Sequence, residues 1–435
     1  MALPGATVSA MKEDFLHYVW QQQYFDKHDI RTEDGQPITV LRPGHRNPDA
    51  GPDFLNARLR LGDVEWNGAV EIHLRATDWH RHQHQLDAKY DQVILHVVYA
   101  ADAPVQRTNG SAIPTLALGT RLAPGLLAAY DKLSTQPAEA LLPCTPLLGQ
   151  VSELTRTMML GRTLLERVEQ KAERITALHH SLAQDWEATA WHAVAGAFGF
   201  RKNAEPLSRL ARALPLSLIR RHRHDAHQLA ALLFGQAGFL EAAPAEEYVE
   251  QLRTEYQFLQ HKYNLHGTAL ASHEWNFLRL RPANFPTVRL AQLLALLLAR
   301  PSLFDALLTA RNVPALEQFF MAPLPPYWQT HSRPGRPGKV AGLGRGSVHL
   351  LITNVVVPLR VAYAHSVGNP ELVETAVSLL DHLPPEHNHL TEPYEAAGFR
   401  NETAADSQGL LALQHGYCAP RRCTTCSIGA RLLRQ

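Results

Sequence analysis

The chain has few cysteines. Four in 435 residues, three of them between positions 418 and 426, exclude a disulfide framework. It has no excess of charge of either sign. Lys and Arg number 42 against 41 Asp and Glu, so a net charge of +1 excludes a global attraction to nucleic acid while leaving local patches open. It has no long hydrophobic run: the longest mainly apolar stretch, Leu290 to Leu298, is too short to span a bilayer and fits a buried helix. The start of the sequence lacks the charged head and apolar centre of a signal peptide, and no fixed-period repeat is present. A reducing cytoplasm and no membrane partner are the expectations. What is abundant is histidine, at 24 residues.

The length predicts more than one domain. Residues 1–130 read as mixed α and β. Phe15, Leu16, Val19, Trp20 and Tyr24 recur at helical spacing, and residues 54–61 alternate apolar and polar. Residues 63–74 alternate again, with Val64, Trp66, Val70, Ile72 and Leu74 on one face. A short helix near 84–91 leads to VILHVVY (93–99), a strand buried on both faces, and Asn109-Gly110 turns the chain into a last strand near 112–118. Residues 131–148 read as a linker, 149–400 as a helical domain and 401–435 as a cysteine-bearing C-terminal segment. The fold class expected is α+β.

Two groups in the N-terminal third carry chemistry. Period-2 geometry puts Glu71 and His73 on one face of their strand, and Asp53 at the head of the preceding strand would meet them at the sheet end. Two carboxylates there would suit Mg²⁺ or Mn²⁺ beside a base. The plainer reading is the polar face of a half-exposed sheet. The second group is TDWHRHQHQLDAKY. His80, His82 and His84 precede Asp87; on a helix His80 and His84 would share a face with Asp87 following, either as a transition-metal site or as a solvated polar turn whose histidines merely cap or pack on Trp79.

At Asp53 and Glu71-Ile72-His73 the segment 10–120 resembles the PD-(D/E)XK nuclease superfamily, the restriction-endonuclease-like fold. The resemblance implies Asp53 and Glu71 as metal ligands, His73 at the lysine position and Glu13 as an acidic residue of the first helix. Histidine lacks the permanent charge and reach of lysine, so Lys89 is a candidate for the missing cation. The implied function is a metal-dependent nuclease or phosphodiester hydrolase, with DNA expected in preference to RNA. A binding protein that has lost catalysis is the first alternative.

The C-terminal GYCAPRRCTTCSIG spaces Cys418, Cys423 and Cys426 as C-x4-C-x2-C, which lets thiolates share one metal. His415 would complete a local zinc site. Cys144 would complete a four-cysteine site for zinc or a [4Fe–4S] cluster. A structural or redox-sensing protein built on that centre is a further alternative. Some nucleases of the superfamily clamp their core with a cluster of this kind, and the chain is similar in outline.

Along its whole length the chain resembles a bacterial family defined by a domain of unknown function. The resemblance is carried by GHRNPDAGPDF (44–54), GAVEIHLRATDWHRHQH (68–84), RLRPANFPTVRLAQL (279–293) and YCAPRRCTTCSIG (417–429). Three basic patches remain. They are Arg279, Arg281 and Arg289; Arg220 to His224; and the Gly-rich loop with Arg333, Arg336, Lys339 and Arg345, whose run into a helix could hold a phosphate. Each also reads as solvated surface.

Overall fold

A computed structural model describes residues 11–134, 141–241 and 243–434. Part of the expected linker, 135–140, lies outside the described residues. The chain is α+β and divides into two compact units, the boundary falling at Met159/Leu160. The first unit takes the described residues up to Met159 together with Ala396–Phe399 and the segment from Leu413 onward. The second takes Leu160–Glu395 and Arg400–Ala412. The terminal cysteine segment thus belongs to the N-terminal unit instead of standing alone.

In the first unit, helix α1 (Glu13–Gln22) buries Phe15, Leu16, Val19 and Trp20, and stops where Gln23 turns left-handed at φ 58°. The strands are β1 (Ile38–Arg42), β2 (His45–Arg46), β3 (Phe54–Leu61), β4 (Val64–Arg75), β5 (Val93–Ala100) and β6 (Thr115–Ala117). They form one sheet in the order β1-β3-β4-β5-β6, with β2 also pairing β3. β1, β3 and β4 run antiparallel, while β4, β5 and β6 are mutually parallel neighbours. A parallel neighbour needs a crossover connection. Between β4 and β5 it is built from helix α2 (Asp78–Arg81) and two tight helical turns, His84–Leu86 and Ala88–Gln92.

The centre of β4 differs from a half-exposed strand. Val64 and Trp66, expected to face the core, lie at the exposed hairpin end at 57% and 45% accessibility. From Ala69 to His73 both faces are covered, so Glu71 and His73 are 5% and 2% exposed. The reason is position: β4 lies between two strands, and both α1 and the crossover pack on it. Ala69, Trp79, Val93 and Val98 form an apolar cluster on this side.

The second unit is mostly helical, with one short antiparallel pair, His331–Arg333 and Arg336–Pro337. The helix Pro286–Ala299 is buried around its whole circumference from Pro286 to Leu297, without the charged outer face expected of it. Phe234 and Trp328 stack at 3.9 Å in the same core. The continuous helix Arg345–Ser366 is apolar and long enough to cross a membrane, but 72% of its apolar window is buried within the protein, as a core helix would be. Within it, Ile352–Val356 forms a π-helical turn.

Candidate metal centre

The site begins with the alternation of β4, which sets Glu71 and His73 side by side. The chain leaves β4 through anchored turns. The Asp78 carboxylate accepts the Arg75 N–H at 3.1 Å, and Asp102 accepts both the N–H and the hydroxyl of Thr77 at 2.9 Å. Trp79 is fully buried and donates its indole N–H to the Gln106 carbonyl. After four residues α2 ends, and Gln83 takes a left-handed conformation at φ 61°. That single turn throws His84 back toward the sheet.

His82 and His84, one on each side of Gln83, therefore meet His73. The ligand-capable nitrogens of these three lie within 4.8 Å of one another. His73 Nε2 is 3.2 Å from His82 Nδ1 and 3.6 Å from Glu71 Oε1, and His84 Nε2 is 3.3 Å from Glu71 Oε1. A tetrahedron of metal–nitrogen bonds of about 2.05 Å has edges of about 3.3 Å. The His73–His82 and Glu71–His84 separations equal such an edge and the His73–Glu71 separation is longer, while the group within 4.8 Å comprises the three histidines without Glu71. The His84 ring is fixed by stacking on Tyr90 at 3.7 Å, and its Nε2 is buried without an aligned hydrogen bond.

Behind this set stands His96. Parallel pairing of β4 with β5 places it opposite Glu71, and its Nε2 lies 2.8 Å from His73 Nδ1. This contact holds the His73 ring in place, and with His73 Nδ1 as donor its Nε2 would keep a lone pair for a metal. Burial drives His96 down to about 3 and, with the neighbouring imidazoles, His73 down to about 2. Burial and the Asp53 carboxylate push Glu71 up to about 9. Neutral imidazoles in the company of a carboxyl group that resists ionisation are the condition a divalent cation relieves.

Asp53 has a different place. Its N–H donates to Glu71 Oε2 at 3.0 Å, and its Oδ2 accepts from the Ile72 N–H at 3.0 Å. The same Oδ2 is 3.1 Å from His17 Nε2 on α1. His17 Nδ1 in turn is 3.6 Å from Asp14, which Arg46 engages at 2.9 Å. Burial alone would lower His17, but the Asp14 and Asp53 carboxylates outweigh it and hold it up at about 9. The nearby His17 ring, which contributes most, and Arg46 overcome the burial of Asp14 and hold its carboxyl well below the usual range. Glu13, half-buried on the same helix, is raised by burial, with His82, Asp53 and His17 as charged neighbours.

The structure brings together Asp53, Glu71, His73 and Glu13, and adds His82 and His84. It does not bring in Lys89. That residue is exposed on the turn Ala88–Gln92, where its N–H is capped by Asp87 at 2.9 Å, and among the described residues no ion pair engages its ammonium. Nor do His80 and His84 form a helical face, because the helix breaks at Gln83 and His80 is exposed. His17 and His96 were not singled out from the sequence. A histidine inside the apolar run VILHVVY is the signal available for His96, since a buried imidazole needs a partner.

The cysteines form a separate group in the same unit. Cys144, Cys418 and Cys426 are buried, Cys423 partly so, and none is in a disulfide. Burial raises Cys144 strongly, and Cys418, Cys426 and Cys423 are all near enough to raise it further. Burial and Cys426 push Cys423 up to about 11. The loop is tight: Arg422 N–H reaches the Tyr417 carbonyl at 2.8 Å, and a Cβ on Gly429 would lie 2.1 Å from the Cys423 carbonyl. His415 is exposed.

Residues 13–389 match the family described as protein of unknown function, DUF2851. The chain belongs to that family. No curated protein and no solved structure matches it. In this DUF2851 chain both the histidine cluster and Cys144 fall within the matched span, and the C-terminal cysteines lie beyond it.

Proposed function

We propose that this DUF2851 protein is a metal-dependent hydrolase of phosphodiesters in nucleic acid, with His73, His82, His84 and Glu71 as its metal ligands. The observation that carries the reading is the convergence of the His73, His82 and His84 nitrogens within 4.8 Å of one another, with Glu71 Oε1 3.6 Å from His73 Nε2 and 3.3 Å from His84 Nε2. The donor set suits Zn²⁺ or a similar transition ion better than Mg²⁺, which prefers oxygen in octahedral geometry. Such an ion supplies a Lewis acid for the phosphoryl oxygen and a lowered pKa for water.

The phosphodiester substrate rests on three supports. One is the resemblance at Asp53 and Glu71-Ile72-His73. The second is the element order, a helix, three antiparallel strands, a helical crossover and a parallel strand. The third is His17, which Asp14 and Asp53 keep protonated at neutral pH. In this reading His17 supplies the cation that the resemblance assigns to lysine, Asp53 holds it in place, and His73 binds metal. DNA remains the preferred substrate class.

We also infer a closed, structural centre at Cys144, Cys418, Cys423 and Cys426. Cys144 is favoured over the exposed His415 as fourth ligand by its proximity to the other three thiols. Zinc or a [4Fe–4S] cluster would fit four thiolates, and visible absorbance of anaerobically prepared protein tells them apart.

The hydrolase reading is tested by incubating the protein with labelled DNA and RNA in Zn²⁺ or Mn²⁺, beside Glu71→Gln and His17→Gln. Cleavage by the wild type and its loss in both variants are expected. No cleavage in any condition, or equal cleavage by Glu71→Gln, removes the assignment. Retained binding with steep salt dependence would then favour a non-catalytic reader of nucleic acid.

A further inference from the structure

Two of the basic stretches noted in the sequence come together in the second unit, around a cleft of about 480 Å³. Its floor is Arg289, 8% exposed, whose guanidinium stands 4.2 Å over the ring of Phe200. The buried cation has neutral partners: Gln292 Oε1 at 2.9 Å, Asn284 Oδ1 at 2.6 Å and Ser347 Oγ at 3.2 Å. Its Nε is buried with no partner, and among the described residues no ion pair joins it to a carboxylate. A buried charge without a counter-charge is costly, and an anion would offset that cost.

One wall of the cleft is the first turn of the continuous helix Arg345–Ser366, which contributes Gly346 and Ser347. The N-cap is Gly344, which has no side chain to cap the turn. The amides of Ser347 and Val348 bond to the Gly344 carbonyl, and those of Arg345 and Gly346 have no acceptor among the described residues. A Cβ placed on Gly344 or Gly346 would meet nothing within 4 Å, so the space beside these amides is open. Free amides at a long helix's N-terminus favour an anion. The exposed side chains of Arg201 and Lys202 stand at the rim, while Leu280, Leu350 and Phe200 give the remaining surface an apolar character.

We propose that this cleft binds a phosphate monoester of mononucleotide size. The phosphate would take the two free amides and the Ser347 hydroxyl, with the charge of the buried Arg289 guanidinium behind them, the rim cations outside and the apolar body against Phe200 and Leu280. The volume lies within the range of small-ligand pockets. The inference does not depend on the hydrolase reading, because it uses no residue of the histidine cluster.

The test is calorimetric titration of the full-length protein with AMP, inorganic phosphate and adenosine at physiological salt, with melting temperature as a second readout. Saturable binding of AMP, weaker binding of phosphate and none of adenosine are expected. Arg289→Gln should weaken AMP binding at least tenfold. Should Arg289→Gln fail to fold, the exposed pair Arg201→Ala/Lys202→Ala should still weaken it several-fold. Absence of AMP binding, equal binding of adenosine, or undiminished binding by folded Arg289→Gln or by the rim double variant would overturn the proposal.

Discussion

Replacing the three histidines of the crossover one at a time separates a helical reading of this segment from the arrangement found. On an unbroken helix, His80 and His84 would act together and His82 would point elsewhere. In the structure Gln83 breaks the helix, and His82 Nδ1 and His84 Nε2 flank the donors of β4 at 3.2 Å and 3.3 Å while His80 is exposed. Loss of an outer partner such as His96 typically costs about 10–100-fold in metal affinity. Removing one of four ligands should therefore cost about 100-fold or more. His84→Ala and His82→Ala should each show that loss, His96→Phe the smaller one, and His80→Ala none. A metal that stabilises the fold by mass action contributes about 2.7 kcal/mol at 100 times its Kd. A hundredfold weaker variant at the same metal concentration forfeits most of that, which a melting curve registers. The assay is competition against a chromophoric chelator, with bound metal counted by elemental analysis. The reasoning fails if His80→Ala loses as much metal as His82→Ala, or if both His82→Ala and His84→Ala retain full affinity.

Three further outcomes are expected. Cys144→Ser should lose the metal or cluster of the cysteine centre, whereas His415→Ala should keep it; full retention by Cys144→Ser would restore the local site. Burial, with Arg167 and Arg174 nearby, lowers Lys171 to about 7. Its folded pKa lies below the unfolded value, so the unfolded chain binds the extra proton between about pH 7 and 10 and stability rises across that window. Lys171→Met should flatten the rise by on the order of 2–4 kcal/mol in denaturant titrations at the two ends, and an unchanged slope would contradict the burial argument. Gly235 sits where a Cβ would lie 2.2–2.6 Å from the ring of Tyr256. Gly235→Ala should lower the melting temperature, with overpacking of about 1–3 kcal/mol exceeding the gain in helix propensity of about 1 kcal/mol. A stabilised variant would show that the ring moves aside freely.

Much of this molecule was legible in the order of its residues, wherever the controlling interaction is local. Alternation of apolar and polar residues marked β3 and placed Glu71 beside His73, because a pleated strand repeats every two residues. The short buried run marked β5, and the 3.6-residue rhythm marked the helices of the second unit. The spacing of Cys418, Cys423 and Cys426 marked them as one group, which the fold sets near Cys144. Tertiary structure alone decided the rest. Parallel pairing of β4 and β5, a non-local event, set His96 against His73. A single left-handed residue, Gln83, redirected His84, and glutamine carries no sequence mark of that conformation. Packing of α1 on the sheet delivered His17 to Asp53 and turned a histidine among apolar neighbours into a cation. Burial of β4 on both faces changed Glu71 from a surface carboxylate into a group that resists ionisation. Pattern fixes which residues share a face, and only the fold decides what that face meets.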